Sequence, residues 1–263
     1  MNKMLSLVLL SLAFFCLAND ASAKDFNLKI YTEEFPPYNF TFQNKIVGIN
    51  KEIVEMACSQ AKFKCTFEIL PWQRAYQLTQ KNLRSGLIST SRNNEREHKF
   101  QWVGPLAFST TNFYRLAVRE DIQALNISDL HRFLVGISRG DIYEKLLIKN
   151  GFSYGKNLLD FSSKNQMLNL LIHQKIDLVI GSELTIPYQA KMAGIELNQL
   201  IPVIELPVDE LRGNFLALNK DVPKFVTDKL QNNVSQLLDS GQVDRIINRY
   251  KRSPLINDLA DEK

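Results

Sequence analysis

Apolar positions recur along this chain with two alternating periods. Leu28-Lys29-Ile30-Tyr31 alternates in polarity and predicts a strand. Ile49, Ile53, Ala57 and Ala61 then recur at every fourth residue and predict a helix. Phe67-Glu68-Ile69-Leu70 predicts the next strand. Pro71 marks a helix start, continued by Arg74 to Gln80, and Leu87-Ile88-Ser89-Thr90 predicts a third strand. The second half repeats the habit. Phe133 to Ile137 predicts a strand, followed by a helix to about Asn150 with Gly151 as its C-terminal cap. Ser163 is placed to cap a helix carrying Met167, Leu168, Leu170 and Leu171. Asp177 to Ile180 predicts a buried strand, and Gly181-Ser182-Glu183 opens another helix. Asp221 and Pro223 start a long helix with Phe225, Leu230, Val234 and Leu237 on one face. Gly241 ends it, and Val243, Ile246, Ile247 and Tyr250 form a last apolar stripe.

Strands that alternate with helices predict an α/β fold of mainly parallel sheets covered on both faces. No internal repeat or low-complexity linker divides the chain. Two extended stretches, residues 110–118 and 201–218, fit the two crossings of a chain that leaves one lobe, builds a second and returns. Two crossings make a hinge. Open sheets place ligands outside the carboxyl ends of their strands, so two such edges facing each other make a cleft.

The amino terminus has its own pattern. Lys3 precedes an apolar run over residues 5–18, which ends in Ala21-Ser22-Ala23. That order predicts a secretory signal peptide, residues 1–23, cut after Ala23. The run is shorter than the ~20 apolar residues that span a bilayer. Cys16 follows Phe14 and Phe15 rather than small residues, which argues against a lipid anchor. A periplasmic location follows. Only Cys58 and Cys65 remain after processing, and an even count in an oxidising compartment predicts a disulfide. Closing so short a loop contributes about 2.5 kcal/mol in the chain-entropy model.

Charge and composition narrow the function. The net charge of +4 is spread over amphipathic segments, without the basic stripe interleaved with aromatics that nucleic acid requires. His98, His131 and His173 stand far apart, and none has a neighbour at metal-ligand spacing. No nucleophile elbow, phosphate-cradling glycine loop or dinucleotide fingerprint occurs, so no cofactor and no metal are predicted. Binding is favoured over catalysis.

Five motifs stand in order at sensible spacing: Tyr31-Thr32-Glu33-Glu34-Phe35-Pro36-Pro37-Tyr38, Pro71-Trp72-Gln73-Arg74-Ala75, the stretch from Ser89 through Arg96 to Glu97, Gly104-Pro105-Leu106, and Ser240 to Tyr250. With them the chain resembles the periplasmic solute-binding proteins of polar amino-acid ABC transporters. These are the family 3 extracellular binders, here in a subgroup with a Pro-Trp-x-Arg-Ala motif. The resemblance implies a two-lobed type II periplasmic binding fold. Lobe one would hold residues 24–108 and 213–263, and lobe two residues 109–212. It also implies a monomer that closes on a small polar ligand (an amino acid, an organic acid or a short peptide). The closed form would be presented to a membrane permease or sensor. Closure around ligand is a known property of such proteins.

The resemblance assigns candidate residues. Arg96 takes the place of the arginine that holds a ligand carboxylate, for which a planar fork is suited. Ser91 and Ser89 flank it, and Arg92 is a rival. The plainer alternative pairs Arg96 with Glu95 or Glu97. Gly140, Asp141 and Ile142 begin a helix whose free N–H groups suit an anion, although the Asp141 carboxylate would compete for them. Ser182 stands where amino-acid binders carry an aspartate for the ligand ammonium, so the resemblance leaves the ammonium unplaced; Glu183 follows directly. Tyr38 and Trp72 would wall the cleft or pack in the core. Glu33, Glu34 and Arg74 are further candidates at the same edge. An enzyme on this scaffold, resembling the cyclohexadienyl dehydratases, is the alternative function, with Glu33 or Glu34 as general acid.

Overall fold

The computed structural model describes residues 26–138, 142–161, 164–206 and 213–252. The expected signal peptide, Gly140, Asp141 and Ser163 lie outside the described residues. In chain order, β1 (Asn27–Thr32) leads to a hairpin of β2 (Phe40–Phe42) and β3 (Lys45–Val47). Then come α1 (Ile49–Ala61), β4 (Lys64–Ile69), α2 (Trp72–Lys81), β5 (Ser85–Thr90) and β6 (Phe100–Phe108). A second group follows: β7 (Thr111–Leu116), β8 (Val135–Ser138), α3 (Ile142–Lys149), β9 (Leu158–Phe161), α4 (Lys164–Ile172), β10 (Leu178–Ser182), α5 (Ile186–Met192) and β11 (Leu200–Glu205). The chain closes with β12 (Gly213–Asn219), α6 (Lys224–Asp239) and α7 (Gln242–Lys251).

Two five-stranded sheets result, ordered β4-β1-β5-β12-β6 and β9-β8-β10-β7-β11. They share one plan. In each, two strands run parallel to the middle one on one side; on the other, the adjacent strand is antiparallel to the middle one and the edge strand is antiparallel to that neighbour. The sheets are therefore mixed rather than mainly parallel. Each crossing of the chain brings in one strand, β7 and then β12, that runs against the βαβ direction. The stretches expected as crossings are mostly strand. β7 and β11 are neighbours in the second sheet, and β12 belongs to the first. The change of sheet occurs between Phe108 and Thr111 and again between Glu205 and Gly213.

Packing explains the elements. Leu28 and Ile30 of β1 bury against Ile53 and Ala57 of α1 and against Val226, Leu230 and Val234 of α6. Each such Leu, Ile or Val side chain contributes ~1.5–3 kcal/mol when fully buried. Val226, not Phe225, occupies the buried stripe of α6; Phe225 is 48% exposed. The other face of the first sheet carries Tyr31, Leu87, Phe100 and Ala217 under Ala75 of α2. A disulfide joins Cys58 in α1 to Cys65 in β4.

One helix is shared between the lobes. Leu184 and Tyr188 pack into the first lobe's core, with Tyr188 6.0 Å from Phe40 between ring centroids. Ile186 and Ala190 face the second lobe's core. The Tyr188 hydroxyl donates to the Tyr250 carbonyl at 3.1 Å, which ties α5 to α7. The helix itself begins at Ile186, later than the sequence pattern places it, because Gly181 and Ser182 complete β10.

Candidate functional site

Strands β1, β4 and β5 are parallel, so their carboxyl ends lie along one edge of the first sheet. Glu33, Trp72 and Ser91 stand just beyond those ends. Strands β8, β9 and β10 place Ser138, Phe161 and Ser182 along the matching edge of the second. The two edges meet. Lys145 on α3 is 2.8 Å from Glu95 in the segment after β5, and the salt bridge holds the Glu95 carboxyl below its usual range. Tyr38 beyond β1 reaches Ser182 at 3.4 Å.

The segment after β5 carries two arginines with opposite fates. Arg92 is closed off. Its Nε and Nη2 donate to both oxygens of Glu97, at 2.8 and 2.6 Å, and its guanidinium lies over Trp102 and Phe215. That pair holds the Glu97 carboxyl below its usual range. Arg96 is different. Its Nη1 donates to the Ser91 carbonyl at 3.2 Å, and its guanidinium lies 5.3 Å from the Trp72 centroid and 5.8 Å from that of Tyr76. Among the described residues no carboxylate pairs with it, because Glu97 is taken by Arg92 and Glu95 by Lys145. Arg96 is half-buried, and among the described residues its fork donates only to the Ser91 carbonyl, a state suited to bidentate capture of a carboxylate.

Several candidates are engaged within the protein. Ser89 has φ 59°, is buried, donates to Asn39 Oδ1 and accepts from Asn50 Nδ2 at 2.9 Å. Asn39 in turn donates to the Glu33 carbonyl at 2.7 Å, so this network fixes the loop that carries Tyr38. Tyr38 is 2% exposed and shares a hydrogen bond of 2.9 Å with Ser109, which lies between the two sheets in the chain. Burial pushes its phenol up, and Asn214 at the start of β12 adds a further contact. Ser182 accepts from the Thr185 N–H at 3.2 Å and donates to Thr185 Oγ1 at 3.2 Å, the role of a turn-closing serine. Glu183 lies 3.7 Å from Lys251. Glu34 is exposed and accepts from the Thr41 N–H and hydroxyl. Arg74 is exposed on α2, and Ile142 begins α3.

The structure thus brings together Arg96, Ser91 and Trp72 at one edge, with Tyr38 and Ser182 joined beside the crossings. It also shows residues that pattern reading missed. Tyr76 follows Trp72 by one helical turn, a spacing that places both rings on one face of α2. Ser109, Asn39 and Asn50 are fixed by tertiary contacts that no local motif announces.

Two mixed five-stranded sheets, joined by two crossings and opposed at their carboxyl edges, define the two-lobed type II periplasmic binding class. Solved structures agree. A histidine kinase sensor domain with similarity to periplasmic binding proteins matches with 19% identity and TM-score 0.70, covering 86% of this chain and 96% of that one. Substrate-binding domain 2 of Lactococcus lactis GlnP, in an open conformation, matches with 19% identity and TM-score 0.68, over 88% and 97%. A structure from the work on glutathione import and the cystine ABC importer of Streptococcus mutans matches with 17% identity and TM-score 0.71, over 86% and 95%. No match was found among curated proteins. The chain belongs to the bacterial extracellular solute-binding proteins, family 3, whose model matches residues 28–253.

Proposed function

We propose that this protein captures a small, polar, carboxylate-bearing solute between its lobes in the periplasm and presents it to a membrane permease or receptor. One observation carries the reading. Arg96 stands at the carboxyl end of the middle strand of the first sheet, oriented by rings and a carbonyl, with no carboxylate of its own among the described residues. Ser91 beside it and the start of α3 across the cleft complete the set of contacts. Contacts made by both lobes only when closed shift the population toward the closed form. The resemblance to a structure from work on an ABC importer and to a kinase sensor domain supports either kind of membrane partner. Relatives named for cystine and glutathione point to amino acids and short peptides as the first compounds to try.

A thermal-shift screen of amino acids, organic acids and small peptides tests the proposal. A bound solute raises the melting temperature as RT ln(1 + [L]/Kd). At least one carboxylate is expected to stabilise the unaltered protein and to be returned chemically intact. The dehydratase alternative needs Glu33 or Glu34 as a carboxylic acid in desolvated surroundings; Glu34 is exposed and already engaged with Thr41, and Glu33 is half-buried. Turnover of the bound compound would favour that alternative.

A further inference from the structure

We infer that Trp72 and Tyr76 are positioning residues: the two rings form a shelf on α2 that holds the Arg96 guanidinium ready before any solute arrives. The inference rests on Arg96 being the carboxylate-binding group. It revises the expectation that Trp72 walls the cleft against the ligand itself, because one face of that ring is covered by the arginine.

The geometry argues for a shelf rather than a chance contact. Trp72 and Tyr76 are one turn apart on α2, with centroids 6.0 Å from each other. A single guanidinium lies over both, at 5.3 and 5.8 Å. A cation over a ring face is attracted to it, and a planar guanidinium also stacks on it. The Ser91 carbonyl fixes a third direction. Three restraints remove most of the rotamer freedom that a long side chain would otherwise lose on binding. Behind the shelf, Tyr76 leans on Phe100 at 5.3 Å, Phe100 on Trp102 at 5.8 Å, and Trp102 on Phe215 at 5.9 Å. Arg92 uses the far end of this row in the same way, over Trp102 and Phe215. There, however, Glu97 closes the fork. The same device therefore occurs twice along one row of rings, once with its anion supplied by Glu97 and once with no anion among the described residues.

The test uses 15N-labelled mature protein, residues 24–263, with no solute added. The Nε–Hε proton of Arg96, assigned by its loss in Arg96→Lys, is expected upfield of exposed arginine protons because it lies over two rings. Trp72→Ala is expected to move it at least halfway to the exposed-arginine position. Trp72→Phe, which keeps a ring, is expected to retain most of the shift. Should Trp72→Ala fail to fold, Tyr76→Leu gives the same reading from the other ring. An Arg96 proton already at the exposed position, or one unmoved by Trp72→Ala while the amide signals of α2 persist, overturns the shelf. Neither result touches the carboxylate-binding role, which is decided separately by the binding of a stabilising carboxylate to Arg96→Ala.

Discussion

The two sheets are built to the same plan, yet the ends of their middle strands are put to opposite uses. Beyond β5 the chain releases Arg96, whose fork has no carboxylate partner among the described residues. At the end of β10, Ser182 is buried, capped onto Thr185 and covered by the Tyr38 hydroxyl. One end is, on the proposed reading, where the solute's carboxylate docks. The other is sealed and, through Leu184 and Tyr188, anchored in the opposite lobe. The difference shows that a shared strand pattern does not make two edges equivalent. On the proposed reading, the edge whose arginine has no carboxylate partner among the described residues binds the solute, and the edge with satisfied groups joins the lobes.

If that contrast is right, changes at the sealed end alter stability and changes at the open end alter binding. The largest expected effect is at the seal. Tyr188→Ala removes a ring buried in the first lobe's core, and denaturant unfolding should show a loss of about 3–5 kcal/mol. A loss below about 1 kcal/mol would mean that α5 is not anchored across the lobes. Next comes the open end. Arg96→Ala should weaken the binding of a carboxylate solute by about 2 kcal/mol or more, read by calorimetry, with stability nearly unchanged. Arg96→Lys should restore only part of it, since an ammonium cannot match both oxygens.

Tyr38→Phe should cost about 1 kcal/mol of stability and leave binding nearly unaltered. It also carries a pH signature. Burial raises the folded-state pKa of the Tyr38 phenol above its ordinary 10.0, so its contribution is complete below pH 10 and is lost as pH rises through the folded value. The alkaline fall in stability should therefore be shallower in Tyr38→Phe. The smallest effect belongs to the arginine that already has its partner. Arg92→Ala should cost only about 0.2–1 kcal/mol, as exposed ion pairs do. Glu97 has its pKa lowered by Arg92 from 4.5, so the pair's contribution is present above pH 4.5 and lost as pH falls through the folded value. Melting temperatures of the unaltered protein and Arg92→Ala should converge in acid.

Much of this contrast was open to sequence reading, and what was not has identifiable causes. The middle strands announced themselves as apolar runs, Leu87-Ile88 and Leu178-Val179-Ile180, and both are fully or almost fully buried. Strand β6 did not. It runs through Gly104-Pro105, a pair that reads as a turn, and continues to Phe108. The hairpin of β2 and β3 is too short to show a period. At the site, the resemblance put Arg96 ahead of Arg92, but the physical difference between them was not legible. It depends on which of them Glu97 and Glu95 reach in space, and Glu95 is drawn away by Lys145 from the other lobe. The seal at Ser182 was half legible. A serine before a helix reads as a cap, but Tyr38, 144 positions away, supplies the cover.

The central claim is that the open fork, and not its closed neighbour, grips the solute. Titrating the carboxylate that stabilises the protein most against the unaltered protein, Arg96→Ala and Arg92→Ala tests it in a single calorimetric comparison. The expected result is affinity weakened on the order of 30-fold in Arg96→Ala and within about twofold of the unaltered value in Arg92→Ala. Equal affinity in all three proteins, or a loss confined to Arg92→Ala, would contradict it.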